Sequence, residues 1–206
     1  MGSIPTLGSM IDERFIFFGL MLNFIGTASY LIDTITGKVK PNKVSWFLWA
    51  LAPMIAFAAE IKQGVGLAAW MTFAVGFSPL LIFLASFINR KSFWKMQQID
   101  LICGALSILG IFLWYITKVG NIAILFSIMA DGTAAIPTII KSYKEPESES
   151  YSVFFLAAMS AFITLMTLKT WDFAHYGFPL YILLVCILIT VLVKFKIGKK
   201  VKLFAD

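Results

Sequence analysis

Seven apolar runs succeed one another along the 206-residue chain, at 15–34, 44–60, 67–88, 99–117, 119–140, 151–168 and 173–193. Each is close to the ~20 residues an α-helix needs to cross a hydrocarbon core of ~30 Å. The chain is 60% hydrophobic and 14% charged with a mean hydropathy of +0.88, where a soluble domain carries roughly 25% charged residues. These runs predict an all-α membrane protein of seven transmembrane helices, without a soluble domain.

The basic residues between the runs orient it. Of 17 Lys and Arg, Lys38, Lys40, Lys43, Arg90, Lys91, Lys95, Lys141, Lys144, Lys194, Lys196, Lys199, Lys200 and Lys202 fall on one side, leaving only Arg14, Lys62, Lys118 and Lys169 on the other. By the positive-inside rule the first side is cytoplasmic, with the N-terminus outside. An integral protein of a bacterial inner (plasma) membrane is expected. The net charge of +6 is then topology and contact with anionic head groups, and implies no nucleic-acid partner. Cys103 and Cys186 fall inside apolar runs and read as packing residues, neither a disulfide framework nor a metal site.

The chain also repeats itself. Shifted by 106 residues, Gly26-Thr27-Ala28 falls on Gly132-Thr133-Ala134 and Lys38 on Lys144. After one inserted residue, Ser45-Trp46-Phe47-Leu48-Trp49-Ala50 falls on Ser152-Val153-Phe154-Phe155-Leu156-Ala157, and Gly76-Phe77-Ser78-Pro79-Leu80 pairs with Gly177-Phe178-Pro179-Leu180. Spans one to three (14–88) thus correspond to spans five to seven (119–197), with 98–117 as a linker helix that restores the direction of the chain. Two parallel three-helix repeats bind solutes between them, near the bilayer midplane.

In this arrangement the chain resembles the SWEET and PQ-loop superfamily of transporters and ER-retrieval receptors. The end of span five, Ala135-Ile136-Pro137-Thr138-Ile139-Ile140-Lys141-Ser142-Tyr143-Lys144, is similar to that family's proline-glutamine motif, with Pro137 on the proline. The resemblance implies a SWEET-like fold of three, one and three helices, alternating access through a central cavity, and hinges at Pro53 and Pro137.

Asp131 is the sharpest single residue. It lies about twelve residues into span five, ~18 Å along the helix and close to the bilayer centre. A carboxyl there is costly unless it meets water, a partner or a proton, which makes it a candidate for solute binding and proton coupling; the bland reading is an inter-helical hydrogen bond. Asn23 lies at similar depth in the first repeat and either faces the same cavity or joins helices. Pro53 interrupts the hydrogen-bond ladder of span two and predicts a kink. Trp49, one turn away, can stack on a solute or belong to the interfacial aromatic belt. Ser160 stands at the Pro53 equivalent and is expected to line the cavity, unless it bonds its own backbone.

Glu60, Asp33 and Asp100 are expected at the interfaces, Glu145, Glu147 and Glu149 in a solvated turn, and the lone His175 at the outer edge. No metal-ligand cluster, G-x-S-x-G or Walker loop is present, so no cofactor and no enzyme activity are expected. The sequence points to a transporter of a small polar or cationic metabolite, proton-coupled through Asp131, with a small-molecule substrate and the lipid bilayer as partners and a homo-oligomer left open. A non-transporting seven-helix receptor or scaffold is the alternative.

Overall fold

The computed structural model describes residues 9–88 and 120–200 throughout, with positions 98, 100–102, 105, 108, 109, 112 and 116 between them. Those nine positions are helical; the rest of the expected linker helix, Cys103 included, lies outside the described residues. Six α-helices are defined: α1 Phe15–Thr36, α2 Lys43–Lys62, α3 Ala69–Ala85, α4 Gly120–Lys144, α5 Tyr151–Thr167 and α6 Phe173–Phe195. Among the described residues there is no strand, and five helices are long and apolar enough to cross a membrane, counting the short 3-10 turn Gly66–Ala68 with α3. The sixth, α5, has 17 residues, or ~26 Å at 1.5 Å per residue.

Local chemistry sets the helix ends. Asn42 caps α2 by accepting from the backbone N–H of Val44 at 3.1 Å and of Ser45 at 3.3 Å, and Asp172 caps α6 through His175 N–H at 3.1 Å. Gly37, with φ of 80°, closes α1 in the left-handed conformation. Helices α2 and α4 run unbroken through Pro53 and Pro137, and α3 and α6 carry a second equivalent pair, Pro79 and Pro179.

Helix α3 packs on both α1 and α2, and α6 packs on both α4 and α5; the two groups meet where α1 lies on α5 and α2 on α4. Exchanging α1 with α4, α2 with α5 and α3 with α6 leaves these neighbours unchanged, the exchange the repeated sequence describes. The α1–α5 crossing is tight. A Cβ on Gly26 would lie 3.1 Å from Val153 Cα, and one on Gly19 3.2 Å from Ser160 Oγ, so small residues let these backbones approach.

The distribution of polarity is that of a protein in lipid. Phe17, Phe18, Met21, Leu184, Ile187 and Leu188 face outward, while Asn23, Glu60, Thr72, Asp131, Thr138 and Lys141 are buried.

Candidate functional site: a cavity between the two helix triplets

A cavity of about 60 Å³ lies between the triplets, lined by residues from α1 to α6. Ligand pockets are commonly 300–1,000 Å³, so this one in its present state holds a few waters at most. Two of its polar groups, one from each triplet, are held in the same manner. On α1, Asn23 Oδ1 accepts from Ser78 Oγ of α3 at 2.7 Å; on α4, Asp131 Oδ2 accepts from Tyr181 Oη of α6 at 2.6 Å. In each triplet, then, a hydroxyl of the third helix holds a polar side chain of the first. The balance is incomplete on one side, because Asp131 Oδ1 is buried without a hydrogen-bond partner among the described residues.

Trp49 lines the same cavity and is anchored by its indole N–H, which donates to the Asp131 carbonyl at 3.2 Å. Trp46 lies edge-on to Trp49 at 5.2 Å, packs on Tyr30 at 4.8 Å, and meets Phe154 at 6.3 Å. This aromatic cluster caps the cavity toward the basic face. Trp46 is thus inside the bundle.

Asn23, Trp49 and Asp131 therefore share one cavity. Ser160 is placed elsewhere: it is buried against Gly19 at the α1–α5 crossing and does not line the cavity. Pro53 and Pro137 are both buried on the α2 and α4 sides, and the lining proline is Pro79.

Beyond the aromatic cluster lies an arrangement the sequence reading missed. Lys141 Nζ is fully buried and donates to Glu149 Oε1 at 2.7 Å, where both side chains are 0% exposed, and also to the Lys40 carbonyl. Tyr30 Oη donates to Glu149 Oε2 at 2.7 Å. Glu149 thus departs from the solvated turn expected of it: it ties α1 and the α1–α2 loop to α4. Glu60, expected at the interface, is likewise buried, with Thr72 Oγ1 donating to it at 3.1 Å. Asp100 is also buried and accepts from Asn42 at 2.9 Å, whereas Asp33 pairs with the exposed Lys38 at 3.5 Å.

The opposite end is held by weaker contacts. Lys169 and Glu13 pair at 2.8 Å in an exposed position, and the N–H groups of Met10 and Ile11 donate to Met166 O at 3.1 and 3.3 Å. A cleft of about 180 Å³ opens there beside His175, whose ring is paired with Asp172 at 2.6 Å. Among the described residues no cluster of three His, Cys or carboxylate side chains is placed to hold a metal. Compared with models of protein families, with curated proteins and with solved structures, the chain matches none. The fold and site define an all-helical protein with several apolar helices suited to a membrane.

Proposed function

We propose that this chain is a SWEET-like membrane transporter of seven spans, in which two parallel three-helix repeats joined by a linker helix rock about Pro53 and Pro137. It moves a small polar or cationic metabolite by alternating access, with the basic face in the cytoplasm and Asp131 carrying the coupled proton. The observation that carries this reading is the site itself: Asn23 and Asp131 occupy one cavity from equivalent helices of the two triplets, and one buried carboxylate oxygen has no partner among the described residues. A buried carboxyl without a matching cation must be satisfied by a proton, water or a solute. The neighbour pattern that survives exchange of the triplets supports the repeat, and contacts across both ends of the cavity fit an occluded state.

Reconstitution in liposomes tests it. A panel of amino acids, sugars, nucleosides and amines is expected to include a solute that moves with proton flux, and Asp131→Asn to abolish the proton component while the protein remains folded. Unchanged proton coupling in that variant would remove Asp131 from the mechanism. The small size of the cavity favours a second reading, a non-transporting receptor or scaffold, and absence of flux with every solute would establish it over the first.

A further inference from the structure

Helix α4 carries a line of polar side chains of which the cavity accounts only for Asp131. Ser127, Asp131, Thr138 and Ser142 are each at most 2% exposed, and among the described residues Ser127 Oγ, Asp131 Oδ1, Thr138 Oγ1 and Ser142 Oγ have no hydrogen-bond partner. At 100° per residue the four positions fall within an arc of about 60°, so they form one stripe; Thr138 is ~10 Å beyond Asp131 and Ser142 ~6 Å further. Between Asp131 and Thr138 the flanking positions on α4 itself are the small Ala134 and Ala135, and from α2 Ser45 Oγ donates to the Ala134 carbonyl at 2.7 Å. Thr190 on α6, which packs on α4, is also buried with its hydroxyl unpartnered.

Hydroxyls in apolar helices ordinarily turn back onto a carbonyl of the preceding turn. Elsewhere in this protein they do: Thr27 donates to Asn23 O at 2.9 Å, Thr133 to Ala130 O at 2.9 Å, and Thr164 to Ser160 O at 3.0 Å. The hydroxyls of the α4 stripe do not, and outside it the same holds for Thr34, Ser160 and Thr190; what sets α4 apart is that three such hydroxyls and the Asp131 carboxyl share one buried face of a single helix. Buried polar atoms are almost always satisfied, and where protein supplies no partner, ordered water does.

We propose that the stretch of this stripe from Asp131 to Ser142 is a binding site for a file of water molecules, and that protons reach Asp131 along it from the basic membrane face. The inference deepens the proton-carrier reading of Asp131 and rests on it. A proton entering at Ser142 is passed from water to water, each accepting one and donating one. The last water donates to Asp131 Oδ1, so that a carboxylate and a hydronium become a carboxyl and water. Ser127 lies on the far side of Asp131 and is not on this route. From α6, Tyr181 and Cys186 face Asp131; from α1 and α2 the lining groups Asn23, Thr27 and Trp49 are uncharged. The buried Lys141–Glu149 pair stands at the entrance.

The test needs no substrate, so it is decided whether or not transport is found. In lipid nanodiscs, the infrared carbonyl band of protonated Asp131 is identified as the one lost in Asp131→Asn, at a pH set by titrating that band. Its exchange on transfer to D2O is then timed. Thr138→Val with Ser142→Val is expected to slow the exchange at least tenfold, while Thr138→Ser and Ser127→Ala keep the wild-type rate. Should the double valine variant not fold, Thr138→Val alone is expected to slow exchange severalfold. Equal rates in folded valine variants would overturn the proposal. So would a crystal structure with no water on the stripe and the three hydroxyls turned onto their own helix carbonyls.

Discussion

Ile25 and Asp131 hold equivalent positions immediately before the repeated Gly-Thr-Ala, and the difference between them places a single carboxyl at the heart of an otherwise balanced pair of triplets. Tyr181 holds one of its oxygens at 2.6 Å. Tyr181→Phe is expected to cost about 1 kcal/mol, in line with hydrogen bonds between membrane helices, and to leave helix content unchanged; reversible unfolding in mixed micelles measures the loss. The two glycines of the repeat have different work. Gly26→Ala would push a methyl to 3.1 Å from Val153 Cα, where backbone must move, and is expected to destabilise by about 1–3 kcal/mol. At Gly132 the nearest atom to an added Cβ is Tyr181 Cε2 at 3.7 Å, so alanine fits and is expected to raise stability by up to about 1 kcal/mol through helix propensity. Thermal unfolding of the two variants side by side decides this; equal effects would contradict the close α1–α5 crossing.

Among the elements, the two ends of the bundle are closed by different chemistry. At the basic end the Lys141–Glu149 pair is wholly desolvated, a condition that favours the pair only because Tyr30 and the Lys40 carbonyl complete its hydrogen bonds. Removing one partner strands the other, so Lys141→Met or Glu149→Leu alone is expected to cost about 3–5 kcal/mol. The double variant is expected to recover most of it, and a double-mutant cycle measures the coupling. Near by, Glu147 joins the α4–α5 loop to the end of α6 by hydrogen bonds to Lys199 at 2.6 Å and Lys196 at 3.1 Å. The Lys199 bond, with that of Lys196, holds its carboxyl down from 4.5 to about 2. The contribution of a depressed carboxyl is complete above its unfolded value and lost as pH falls through the folded one. This contact is therefore expected to persist down the acid range and to fail near pH 2. The carboxyl carbon shift of Glu147 reports it, and Lys196→Ala with Lys199→Ala should return the midpoint toward the ordinary 4.5. A midpoint already ordinary in the wild type would refute the contact.

For the molecule as a whole, hydropathy made the helices legible, because crossing lipid demands long apolar runs whatever the tertiary packing. Depth along the helix and the repeat together were enough to bring Asn23, Trp49 and Asp131 to one cavity. Ser160 escaped the same reasoning because the face α5 turns inward depends on where it crosses α1, and that is fixed by Gly19 and Gly26 rather than by anything in its own span. Glu149 was hidden for another reason: in an alternating Glu/Ser loop nothing local separates the one side chain that is drawn under Tyr30 from its solvated neighbours. Tyr181 left no signal either, since a hydroxyl bonded across two helices has no periodicity. Glu60 was read as interfacial because it lies near a helix end, yet packing of α3 buries it beside Thr72.

The account turns on whether the buried carboxyl between the triplets moves protons with a solute. The most direct measurement is internal pH in liposomes bearing the wild-type chain or Asp131→Asn as solutes are added one at a time. The account predicts that at least one small polar or cationic solute changes internal pH in wild-type vesicles and that Asp131→Asn abolishes the change while still folding. Solute-driven pH changes that are identical in the two proteins would contradict it.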